Sequence, residues 1–136
     1  MHWAPGWIVK LPLWRMEAEG PLMETVDLKQ TLHPLYHASA KAVTELDVPP
    51  MSYLMIDGAG DPNHSPAYAG AVEALFAVAY ALKFRVKKSE LAVDYSVMPP
   101  EGLRWSDDMA TFSVANKAGW LWTLLILQPP PITPSI

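Results

Sequence analysis

Apolar positions crowd into three stretches of this 136-residue chain, and the polar positions between them say what each stretch becomes. Tyr53 to Ile56 is a short apolar run with a β-branched end, followed by Asp57 and the turn-prone Gly58 and Gly60. The pattern predicts a strand over Ser52 to Asp57 that closes on a glycine-rich turn. Ser65 and Pro66 then form a helix start. A serine oxygen accepts the first free N–H groups, and proline fits where its missing N–H has no intrahelical partner. The alanine-, leucine- and aromatic-rich span that follows predicts one helix over Pro66 to Phe84, with Glu73 its one acid. Lys83, Arg85, Lys87 and Lys88 gather at its end, where the helix dipole favours cations.

Downstream, Leu91, Val93, Tyr95 and Val97 alternate with other residues, which predicts a second strand over Ala92 to Met98. Pro99, Pro100 and Gly102 bend the chain before Leu103 to Trp105 resumes an extended path. The run WLWTLLILQ predicts a third strand, Leu121 to Leu127; it is apolar on both parities, so both its faces must be covered. Pro129, Pro130 and Pro131 stop it. Upstream, Asp27 to Ala42 has helical character broken by Pro34, and residues 106 to 119 form a polar connection. The fold expected is α+β: a single β-α-β-β repeat with an antiparallel sheet and one long helix packed on one face. One helix covers one face, so the other must meet a second layer, another subunit or a ligand.

Composition narrows the choices. With 51% hydrophobic and 18% charged residues, the chain makes one domain with a real core. A net charge of −4 argues against direct nucleic-acid binding. The absence of cysteine excludes disulfides, thiolate nucleophiles and cysteine-based metal sites. His33 and His37 share a spacing of four but lack a third ligand, and no phosphate loop or dinucleotide fingerprint is present. No cofactor and no metal are expected. Val72 to Phe84 is too short to cross a bilayer, and residues 1–23 lack a secretory-signal pattern, so the expectation is a cytoplasmic protein without a membrane partner. Those first residues read as a leader or extension before a domain of residues 24–136. Trp3, Trp7 and Trp14 are candidates to cover apolar surface.

Taken together, the segments YLMIDGAGDPNHSP, EALFAVAYALKF, DYSVMPPEGLRW and WLWTLLILQP resemble the first half of the GyrI-like small-molecule-binding family, across residues 24 to 134. The resemblance implies a fold of two β-α-β-β repeats, with both helices on one side of a sheet and an aromatic-lined ligand groove on the other. Relatives either bind amphipathic or cationic drugs, as effector domains of multidrug-sensing transcription regulators do, or open strained cyclopropane rings. Only the first repeat has a counterpart here, so the glutamate the family commonly takes from its second repeat cannot be mapped. Tyr68, Ala69 and Arg104 also depart from the family pattern. A second copy is expected to replace the missing repeat, making a homodimer.

Six residues in or beside the predicted strands supply candidate groove walls: Tyr53, Met55, Tyr95, Trp105, Trp120 and Trp122. Each alone is equally a packing residue; together they offer flat apolar surface with polar edges. Glu101, at the PPEGLRW bend, is the candidate acid. It pairs with a cationic ligand or acts as a general acid or base, its plain alternative being a solvated loop carboxylate. The leading reading is a small-molecule-binding domain for an amphipathic aromatic ligand. The alternative is a hydrolase of strained electrophilic rings, with aromatics holding the substrate and a carboxylate positioning water.

Overall fold

The sheet is built outward from the most apolar stretch of the chain. The computed structural model describes residues 23–133 and 135–136; all of the expected leader but Met23, including Trp3, Trp7 and Trp14, lies outside the described residues. In chain order the elements are β1 (Glu24–Val26), α1 (Leu28–Thr31), α2 (His33–Tyr36), β2 (Ser52–Ala59), α3 (Pro66–Lys88), β3 (Val93–Tyr95), β4 (Glu101–Trp105) and β5 (Leu121–Gln128). A short 3-10 turn, Met109–Thr111, interrupts the connection before β5. β5 lies in the middle of a three-stranded antiparallel sheet of order β2-β5-β4. Its pairing runs from Ser52↔Gln128 to Ala59↔Leu121 on one side and from Glu101↔Leu125 to Trp105↔Leu121 on the other. Trp122 to Gln128 are all buried, as an apolar pattern on both parities requires.

The architecture is α+β, with one long helix against an antiparallel sheet. One strand assignment changes. Ala92 to Met98 was expected in the same sheet as β2 and β5, but its core, β3, pairs in parallel with β1 in a separate two-stranded ladder, Glu24↔Val93 to Val26↔Tyr95. The place beside β5 is taken by β4. Pro99 and Pro100 explain the exchange: neither donates to a ladder, so pairing stops between β3 and β4 and the chain changes sheets.

The long helix buries Ala71, Leu75, Ala79 and Val86, a single stripe that meets β2, β5 and β3. Ser65 precedes it, but the serine side chain makes no cap bond. Its carbonyl instead accepts from the Tyr68 and Ala69 N–H groups, at 3.2 and 3.4 Å. Asp61 ties the preceding turn, accepting the Asn63 N–H at 2.9 Å and pairing with the His64 ring at 2.9 Å. At 23 residues the helix runs past Phe84, and by length and composition it is long and apolar enough to cross a membrane, unlike the shorter Val72 to Phe84 span.

Two of the basic residues at its end do more than answer the dipole. Lys87 lies 2.7 Å and Lys83 3.2 Å from Asp94 of β3, fastening the helix end to the small ladder. Lys87 first, then Lys83, hold the Asp94 carboxyl below the usual carboxylate range. A depressed folded pKa contributes stability above the unfolded value, and that contribution is lost as pH falls through the folded one. Asp94→Asn should therefore lower the melting temperature at neutral pH and leave it nearly unchanged in strong acid. Equal melting temperatures at neutral pH would show that the pair holds nothing.

Candidate functional site

Strand parity divides the sheet into two unlike faces. On one, Trp122, Leu124 and Ile126 of β5 lie under the long helix with Leu54 and Ile56 of β2. Trp122 sets its ring edge-on to Tyr68 of that helix, with centroids 5.0 Å apart and planes at 81°. The opposite face carries cross-strand rows that the register defines. Met55, Leu125 and Glu101 form one row; Asp57, Thr123 and Leu103 the next; Ala59, Leu121 and Trp105 the last.

The long helix leaves this face free, and the short α2 helix supplies one side chain to it. Tyr36 donates its hydroxyl to Glu101 Oε1 at 2.7 Å, joining residues 65 positions apart in the chain. Burial, then the hydrogen bond to Glu101 and its charge, push the Tyr36 hydroxyl well above the usual phenol range. Tyr53, on the same face of β2, is raised first by burial and then by the Glu101 charge. Both tyrosines therefore stay protonated at neutral pH, and Tyr36 remains a donor that orients the carboxylate. One row further, Thr123 donates to Asp57 Oδ1 at 2.5 Å, which fixes a second acid on the face. Met55 and Leu103, each 58% exposed, leave apolar surface bare on either side of β5. Hydroxyl donors, an oriented carboxylate and open apolar surface can hold an amphipathic molecule and activate a water beside it.

The expected site residues thus separate. Tyr53, Met55, Glu101 and Trp105 share the helix-free face: Met55 and Glu101 flank Leu125 in one row, Tyr53 lies one row away, and Trp105 stands two rows off in the other direction. Trp122 is on the other face, packed beneath the helix. Tyr95 is buried with Val86, Val93 and Ile132 in a second core cluster, where burial pushes its hydroxyl up to about 12. Trp120 stacks on Phe112 at 5.1 Å and donates its indole N–H to the Ser113 carbonyl at 2.9 Å, so it organises the connection before β5. Tyr36, Asp57, Leu103 and Thr123 join the face without having been singled out from the sequence. The first arrives by a long-range contact; Asp57 closes the predicted strand before the turn expected at Gly58, yet β2 continues to Ala59. His33 and His37 stack with centroids 4.3 Å apart, and among the described residues no group of three or more histidine or acidic side chains could hold a metal.

No family model matches the chain, and no curated protein matches it. Among solved structures it is similar to an uncharacterized conserved protein from Listeria innocua, with TM-score 0.73 and 34% identity over 81% of this chain and 53% of that one. It is also similar to two hydrolases from Listeria innocua. One has TM-score 0.70 and 32% identity over 82% and 54% of the two chains; the other has 0.64 and 33% over 81% and 52%. The chain spans about half the length of each of these proteins.

Proposed function

We propose that the helix-free face is the small-molecule site of a GyrI-like hydrolase, with Glu101 as the base that activates water. The observation that carries this reading is the 2.7 Å hydrogen bond from Tyr36, which holds the Glu101 carboxylate over an open, partly apolar sheet face. The similarity to two proteins named as hydrolases supports turnover as well as binding. In the reaction, Glu101 takes a proton from water while the water oxygen bonds to a carbon of a strained electrophilic ring. The ring C–C bond breaks, its electron pair passes to a conjugated acceptor on the substrate, and the proton returns there. The net change is addition of one water.

Binding without turnover is the second reading, favoured by the bare Met55 and Leu103 surface and by an anion suited to a cationic ligand. Both readings predict saturable quenching of tryptophan fluorescence by a lipophilic aromatic cation such as tetraphenylphosphonium, weakened several-fold by Trp105→Ala. A folded protein that gives no saturable response across a chemically broad panel rules out both. The partner that completes the groove in this reading is a second copy, placed along the outer edges of β2 and β4 that lack a neighbour among the described residues. Sedimentation equilibrium should then give about twice the 15.1 kDa chain mass, and a single-chain mass at every concentration would remove it.

A further inference from the structure

A cavity of about 660 Å³ lies at the Gln128 end of the sheet, where β1, α1 and the proline segment after β5 approach one another. Three lines of residues lead from it to Glu101. Along β5, Leu127 lines the cavity, and Leu125, next on the same face, pairs with Glu101. Two residues of strand put their rows about 7 Å apart. Along β2, Met51 lines the cavity just before the strand begins, Tyr53 lies opposite Leu127, and Met55 lies opposite Leu125. Along α1 and α2, Leu28, Leu32 and Tyr36 follow one another at helical spacing. Leu28 and Leu32 line the cavity, Tyr36 holds Glu101, and all three pack into one core cluster. Cavity and carboxylate are two ends of one face, with Tyr53 between them.

The two ends differ in chemistry. At one, Glu101 offers a charge and Tyr36 a hydroxyl. At the other, Glu24, Thr31 and Ser52 line the cavity but are exposed, so water already serves them, and the Thr31 hydroxyl donates to the Asp27 carbonyl at 3.0 Å. The buried part of the lining includes Leu28, Val93 and Leu127. Walls of this kind recognise apolar area rather than hydrogen-bonding groups, because each methylene set against them leaves water. The volume falls in the range of small-molecule sites.

We propose that this cavity holds the unbranched apolar tail of a molecule whose head lies at Glu101, so that the ligands of the face are amphiphiles with a flexible alkyl chain. The proposal rests on the reading of the helix-free face as the small-molecule site and names the class of molecule that fills it. A compact ligand reaches Glu101 but leaves the apolar end unused, and binds more weakly for that reason.

A homologous series of 1-alkylpyridinium ions, from ethyl to octyl, keeps the head constant and varies the tail. Titrated calorimetrically into the full chain, each below its micelle concentration, the ions should gain about threefold in affinity per added methylene. Leu32→Trp, which fills the cavity, should flatten that rise and leave the ethyl ion unaffected. Glu101→Gln should weaken every member by a common factor and preserve the rise, so head and tail are read separately. In heteronuclear NMR of the unaltered chain, the octyl ion should shift the backbone amides of Leu32, Met51 and Leu103, and the ethyl ion that of Leu103 alone. This comparison decides should Leu32→Trp fail to fold. Equal affinity along the series, with Glu101→Gln still weakening it, would remove the tail site and leave the site at Glu101 standing. A rise that Leu32→Trp leaves intact, or octyl shifts that do not reach Leu32 and Met51, would place the tail elsewhere and overturn the proposal. A rise that Leu32→Trp flattens but Glu101→Gln does not offset would sink the Glu101 reading, and with it the claim that one molecule spans both ends.

Discussion

Gly58→Ala should destabilise the protein by about 3 kcal/mol, a large effect for the addition of one methyl group. A Cβ built at Gly58 would sit 2.1 Å from a ring carbon of Trp122 and within 2.6 Å of two more. The two residues face each other across β2 and β5, and the indole lies over the bare glycine backbone. Trp122 is 1% exposed and is held on its other side by Tyr68, so the ring has no space to retreat into. Overpacking of this kind forces off-rotamer side chains or a backbone shift. Denaturant unfolding should show a lower midpoint with an unchanged slope. Combining Gly58→Ala with Trp122→Phe should restore part of the loss, because the smaller ring makes room for the methyl group. A single variant as stable as the parent would mean that the ring does not rest on this glycine.

That contact also shows where sequence reading stops. The unbroken apolar run WLWTLLILQ was enough to say that β5 is covered on both faces, because only such a strand is apolar on both parities, but its central place between β2 and β4 is visible only in the pairing. The long helix was equally legible from its alanine and leucine content and its proline start. Gly58 was not: a glycine after an acid looks like a turn, yet its use here is to make room for a tryptophan 64 positions later, and the turn belongs to Gly60, with φ of 110°. Pro99 and Pro100 marked where a ladder breaks, but local pattern carries no information about which strand the chain pairs with next.

The site was half legible for the same reason. Period-two alternation groups Tyr53 with Met55, and Glu101 with Trp105, on common faces. It does not say which face meets the helix, and an aromatic in a strand serves either. Trp122 and Tyr95 are therefore as plausible from sequence as Trp105, and only packing separates them. Tyr36 has no signature at all: its role depends on a contact across the fold, made by a helical turn whose sequence, HPLY, says only that a proline starts it.

If Glu101 activates water, Glu101→Gln should reduce hydrolysis of a neutral strained-ring substrate at least about 100-fold, within the range general-base catalysis supplies. The amide keeps the size and can still accept from Tyr36, so the face stays assembled, but it cannot take the proton. The loss should appear in kcat with KM little changed, the mark of an interaction made only in the transition state. Tyr36→Phe separates orientation from proton transfer. It leaves the carboxylate able to act but removes the donor that aims it, and should reduce kcat by about tenfold, a smaller loss than removing the base itself. Since Tyr36 also packs against the core, its variant is compared at matched stability, judged by its denaturant midpoint. Asp57 provides the control within the same face: it lies one row away and its Oδ1 is engaged by Thr123, so Asp57→Asn should leave kcat within a few-fold of the parent, well short of the loss at Glu101. A reversal of that order, with Asp57→Asn inactive and Glu101→Gln fully active, would move the base one row along the sheet. Undiminished turnover in both variants would show that neither carboxylate takes the proton, and the Tyr36–Glu101 pair would then serve only to bind.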